Sequence, residues 1–164
     1  MKSNKNILDA KLSLILIIQR NYPTLHVGGS IGLFLHGYEP RSLNRSDIDA
    51  VIDEFNDDAI LKLGAHGTDL YKGSMPSDLD FVFKIPTDSG AVKLDLRVCP
   101  EPSFEVIEYE GYSYNVSKLR DILYWKKQYA KRGVNKHLED LRSIAPHDAE
   151  IIAKRLSAVK TVKK

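Results

Sequence analysis

Two stretches of this sequence hold the same arrangement of reactive groups. Residues 46–52 read SDIDAVI and residues 77–83 read SDLDFVF. In each, two aspartates one residue apart lead into an apolar run. Alternate side chains share one face of a strand, so each pair places two carboxylates together. Carboxylates held that close repel unless a cation lies between them or one takes a proton. Mg²⁺ suits such a pair, because it binds through one or two carboxylates and keeps its other positions for phosphate and water.

The stretches differ in what precedes them. Ahead of the first lie Gly28, Gly29 and Ser30, then the apolar run IGLFLHG over residues 31–37. Two glycines let a backbone approach a phosphate closely, and a helix that follows aims free N–H groups at it. Ser30 adds a hydroxyl. The second stretch follows GSMP, which leads straight into a strand. Asp47 and Asp49 are therefore the expected metal pair. Asp80 reads as the partner of Arg97 across a hairpin, and Asp78 as a turn residue at a strand end. A third carboxylate on a neighbouring strand would complete a two-metal site for phosphoryl or nucleotidyl transfer, and Asp95 is placed for it. A solvated strand face after an ordinary tight turn would explain the alternation, but not the Gly-Gly-Ser.

The elements that must position these groups follow from the pattern. Residues 6–19 predict a mostly buried helix, closed by Tyr22-Pro23. A short strand is expected over 24–28, a turn at 28–30 and a short helix over 31–37. YEPRSLNR, residues 38–45, reads as a loop. Residues 46–52 alternate as a strand, with Asp47 and Asp49 on one face and Ile48, Ala50 and Ile52 on the other. One short helix is expected at 57–63, and 64–77 reads as loop with a brief strand near 68–71. DFVFKIP and AVKLDLRV, separated by TDSG, predict a hairpin. If Phe81, Phe83 and Ile85 face Leu96, Leu94 and Val92, one side is wholly apolar, and Asp95 stands on the polar side. A second hairpin over 104–116 turns at Glu110-Gly111. Beyond it the chain reads as helical: Ser117 caps a helix over 118–131, Gly133 breaks it, a second helix spans 135–144 and a third opens at Pro146.

The order of these pieces resembles the nucleotidyltransferase superfamily with the DNA-polymerase-β-like fold. The residues that carry the likeness are GGSIGLFLHGYEPRSLNRSDIDAVI and VKLDLRV, with LNRSDID and KHLEDL closest to small bacterial and phage members such as abortive-infection-type toxins and antibiotic nucleotidyltransferases. The resemblance covers residues 24–52, 92–98 and, more weakly, 117–144. It departs in the 17-residue step from Ser30 to Asp47 and in an inserted segment, 53–79, that leaves strand order open. It implies an α+β fold: a mixed, mostly antiparallel sheet with N-terminal helices and a C-terminal helical segment, in one domain over 1–164. It implies transfer of an NMP from an NTP, ATP first among them, to an acceptor hydroxyl with release of pyrophosphate. Asp47, Asp49 and Asp95 would be catalytic and hold Mg²⁺ or Mn²⁺. Gly29, Ser30, Arg45, Lys136 and Asp140 would bind nucleotide, Lys136 touching triphosphate or base and Asp140 orienting it. Read plainly, Lys136 and Asp140 are a surface ion pair at i, i+4. The acceptor stays open between a small molecule, an RNA end and a protein hydroxyl.

Composition sets outer limits. Cys99 is the only cysteine, so the chain holds no internal disulfide and no multi-cysteine zinc site, which suits a reducing cytoplasm. The apolar run Leu14 to Ile18 is too short to span a bilayer, and with Asp9 ahead of it does not read as a leader. No membrane partner is expected. The net charge of +2 hides an asymmetry: residues 117–164 carry 13 Lys and Arg against 5 Asp and Glu. A basic tail on an acidic body suits a metal site facing a polyanion, and equally a set of solvated helix faces. His36 reads as a packed histidine, and the tyrosines at 109, 112, 114, 124 and 129 with Trp125 read first as core. A shallow acceptor side leaves room for a homodimer or a protein partner. The alternative function is a non-catalytic nucleic-acid- or partner-binding module on the same fold.

Overall fold

The computed structural model describes residues 4–40, 47–53, 66–72, 79–87, 90–99 and 103–162. The run NKNILDAKLSLILIIQRN forms α1 (Asn4–Asn21), which buries Leu8, Leu12, Ile15 and Ile18 along one stripe. A two-residue strand β1 (His26–Val27) follows, then α2 (Gly29–Leu35) and β2 (Ile48–Ile52). Next come β3 (His66–Lys72), β4 (Leu79–Thr87) and β5 (Gly90–Val98). The hairpin of β6 (Phe104–Tyr109) and β7 (Tyr112–Ser117) leads to α3 (Leu119–Lys131), α4 (Asn135–Ile144) and α5 (Pro146–Val162). The brief strand expected near 68–71 is the longer β3. The helix expected at 57–63 lies outside the described residues.

The seven strands form one sheet in the order β3-β4-β5-β2-β1-β7-β6. β2 runs parallel to β5 and β1 parallel to β7, while the other neighbours are antiparallel. This is an α+β fold with a mixed, mostly antiparallel sheet.

The β4–β5 register pairs Phe81 with Leu96, Phe83 with Leu94 and Ile85 with Val92. A slip of one residue would turn the apolar set to the opposite face, so burial of one face excludes it. Phe83, Ile85, Leu94 and Leu96 are all at most 2 % exposed. They join Ile48 and Ile52 of β2 and the α1 stripe in one cluster, and each such side chain contributes about 1.5–3 kcal/mol when buried. A second, smaller cluster of Ala130, Leu138, Leu141, Ala149 and Ile152 holds α3, α4 and α5 together.

One expectation about the helical part changes. Ser117 does not cap α3. It is the last residue of β7, committed to the sheet, and the helix starts one residue later behind Lys118, which makes no side-chain cap. His36 is a packed histidine, as expected: Nε2 lies 2.8 Å from the Ser117 carbonyl. Among the described residues, no helix is long and apolar enough to cross a membrane.

Candidate active site on the β2–β5 face

β1 is short, but it lies inside the sheet next to the central β2 and joins the glycine turn to the aspartates. Val27 pairs with Ala50, and the next amide, Gly28 N–H, donates to the Asp49 carbonyl at 2.8 Å. Gly29 is thereby set against the Asp49 side chain. Its φ is +58°, a left-handed value that favours glycine. A Cβ there would press into the Asp49 carboxylate, 3.0 Å from its Cγ. Both the conformation and the space call for glycine. Ser30, the next residue, is 6 % exposed.

The parallel β2–β5 pairing places Asp49 directly beside Asp95. Ile48, Ala50 and Ile52 point to the core, so Asp47, Asp49 and Asp95 share the opposite face. Burial, and then the charge of Asp95, push the Asp49 carboxyl up to about 6; Asp47 adds to this, while Lys126 and Arg97 oppose it. Burial and two neighbouring carboxylates both disfavour the Asp49 charge, which a cation between the carboxylates would relieve. Oxygen donors arranged this way fit Mg²⁺ or Mn²⁺ by chemistry. The fit is incomplete at Asp47, whose carboxylate lies 3.4 Å from Lys93 Nζ. Among the described residues, no three carboxylate, imidazole or thiol groups already converge on one point. The charge of Asp47 is also felt by Lys11, a buried lysine of α1 whose pKa is lowered first by burial.

The expected nucleotide contacts divide. Gly29 lies against Asp49, and Ser30 is buried next to it in α2. Arg45 lies outside the described residues. Asp140 is buried, and the cation against it is Lys126 of α3, at 2.9 Å, with both side chains under 5 % exposed. Lys136, expected in that role, is exposed on α4. The reason is helix geometry: α4 turns Leu138, Asp140 and Leu141 toward α3, and Lys136 lies off that stripe. Asp80 is in register with Arg97, as expected. Arg97 itself donates to the Tyr129 hydroxyl at 2.7 Å and lies 3.9 Å over the Trp125 ring.

Lys126 and Lys93 were not singled out from the sequence. Lys126 had a signal: it falls at the middle of the i, i+4, i+8 stripe Ile122, Lys126, Ala130, which is the buried stripe of α3. A lysine on a core stripe demands a buried anion, and Asp140 is that anion. Lys93 had none beyond its place on the polar face of β5.

No family model matches the sequence, and no curated protein matches it either. Solved structures do. The chain is similar to JHP933 from Helicobacter pylori, with 19% identity and a TM-score of 0.56 over 87% of this chain and 67% of that one. It is similar also to a candidate nucleotidyltransferase from H. pylori, with 18% identity and a TM-score of 0.54 over 88% of this chain and 67% of that one. The chain thus has a nucleotidyltransferase-type α+β fold, with its glycine turn and Asp-x-Asp strand joined at the centre of the sheet.

Proposed function

We propose that the protein is a metal-dependent nucleotidyltransferase that moves an NMP from an NTP to an acceptor hydroxyl and releases pyrophosphate. One observation carries the reading: Asp49 and Asp95 stand side by side on parallel strands, with Gly29 pressed against the Asp49 carboxylate. Neither a core nor a simple phosphate turn calls for that arrangement. Asp47, Asp49 and Asp95 would hold Mg²⁺ or Mn²⁺, which supplies charge neutralisation at the reacting phosphate when bound. Gly29 and Ser30 would face the terminal phosphates. Lys126, paired with Asp140, adds a positive charge that opposes the rise of Asp49. An acceptor hydroxyl next to Asp95 can pass its proton to that carboxylate as it attacks the α-phosphorus.

The ion pair of Asp47 with Lys93 favours a second reading, a non-catalytic binding module in which a lysine has taken up one carboxylate. Transfer from each of the four α-labelled NTPs, with Mg²⁺ or Mn²⁺, into cell extract separates the two. Label entering a product with wild type and not with Asp47→Ala/Asp49→Ala supports the enzyme and reveals the acceptor class. No label, and no metal-dependent NTP binding by calorimetry, supports the module.

A further inference from the structure

A continuous chain of contacts joins the helical part to the strand that carries Asp95. Lys126 Nζ lies 2.9 Å from Asp140 Oδ2 and 3.4 Å from His137 Nδ1. The His137 ring stacks on Tyr129, with centroids 4.9 Å apart and planes at 23°. The Tyr129 hydroxyl accepts from Arg97, two residues beyond Asp95 on the same side of β5. An ammonium has three donors and no acceptor. Asp140 takes one. Nδ1 can take a second only when the imidazole is neutral with its proton on Nε2. The surroundings favour that form: burial, then Lys126 and Lys136, hold His137 down at about 4, against the opposing pull of Asp140.

We propose that His137 is a positioning residue: as a neutral acceptor it joins Asp140 in fixing the Lys126 ammonium, so that the charge stays directed at the Asp49 carboxylate and sets nucleotide affinity. The proposal rests on the nucleotidyltransferase reading above. With Asp140 alone, Lys126 could pivot about a single contact. A second acceptor removes that freedom, and the second acceptor is itself held, by its stack on Tyr129 and the bond of Tyr129 to Arg97. The position of Lys126 is thereby tied to the strand of Asp95 rather than only to its own helices.

Two substitutions separate the acceptor from the ring. His137→Phe keeps the stack and removes Nδ1. His137→Asn keeps an acceptor near the Nδ1 position and loses the stack. Calorimetry with a non-hydrolysable ATP analogue and Mg²⁺ is expected to show about tenfold weaker binding in the Phe variant and near-wild-type binding in the Asn variant. A ring that matters only for packing gives the reverse, with Phe binding as wild type does and Asn melting lower; that result overturns the proposal. Nitrogen NMR of the wild type tests it without nucleotide, and also covers variants that fail to fold. Nδ1 is expected unprotonated and Nε2 protonated from neutral pH down to about 5. A proton on Nδ1, or titration at the ordinary histidine value, overturns the clamp. A wild type that binds no nucleotide overturns the enzyme reading instead, and the NMR result then decides the clamp alone.

Discussion

Asp49 and Asp140 are both drawn out of water, and they are treated in opposite ways. Asp140 is buried with its own cation, Lys126, 2.9 Å away and locked on the neighbouring helix. Asp49 is half-buried beside Asp95, with only the charges of Lys126 and Arg97 to offset burial and like-charge repulsion, and its carboxyl rises to about 6. The first arrangement is complete within the chain. The second is only partly offset within the chain, and a proton on Asp49 or a bound cation would relieve the rest. The difference marks the β2–β5 face as the place where a carboxylate is held against its charge, with Lys126 of the helical pair among the charges that oppose this.

The sharpest way to break the comparison is at the complete pair. Asp140→Ala leaves an ammonium buried without its carboxylate and is expected to destabilise the protein by about 3–5 kcal/mol, read from urea unfolding. Lys126→Met combined with Asp140→Leu is expected to recover most of that loss, because two apolar groups can replace a buried ion pair. Recovery of nothing would show that the pair contributes beyond its own charges.

At Asp49 the sign reverses. Its folded pKa of about 6 lies above the ordinary 3.8, so the unfolded chain loses this proton first as pH rises. Folding therefore carries a penalty that is full above pH 6 and fades below pH 4. Asp49→Asn is expected to stabilise the metal-free protein by up to about 3 kcal/mol at pH 8 and by almost nothing at pH 4. Mg²⁺ should raise the melting temperature of wild type and leave that of Asp49→Asn unchanged. A variant less stable than wild type at pH 8 would remove the idea that the site is held under charge strain.

Gly29→Ala acts on the same carboxylate through space. A left-handed alanine is unfavourable by about 1–2 kcal/mol, and its Cβ must displace Asp49. The loss is expected to shrink in an Asp49→Ala background, where the carboxylate clash is gone but the 3.0 Å approach to the Cβ of residue 49 and the backbone strain remain. The smallest effect belongs to Lys93→Gln. That lysine is 46 % exposed and its bond to Asp47 is worth under about 1 kcal/mol, so stability should hardly change. Metal affinity is the informative quantity. Freed from Lys93, Asp47 is expected to bind Mn²⁺ several-fold more tightly by calorimetry, and unchanged affinity would mean that Lys93 does not compete at the site.

Local pattern determined much of this protein. Phe81, Phe83 and Ile85 against Leu96, Leu94 and Val92 exclude any one-residue slip, because side chains alternate and only one face can be buried. The same rule put Asp47, Asp49 and Asp95 away from the core. The turn at Glu110 and Gly111, both at positive φ, was legible because glycine there permits a tight hairpin. The start of α3 was misplaced by one residue, since a serine that can cap a helix can also end a strand.

What the tertiary structure alone decided is adjacency between distant segments. Nothing local places β2 beside β5 rather than beside another strand, yet that choice makes Asp49 and Asp95 neighbours. Nothing local says that Asp140 meets Lys126 and not Lys136, since both lysines lie within helical reach of an acid and only the docking of α3 on α4 selects one. Spacing along a strand or helix is set by backbone geometry and can be read from residue order. Contact between elements is set by which apolar faces bury one another, a property of the whole core.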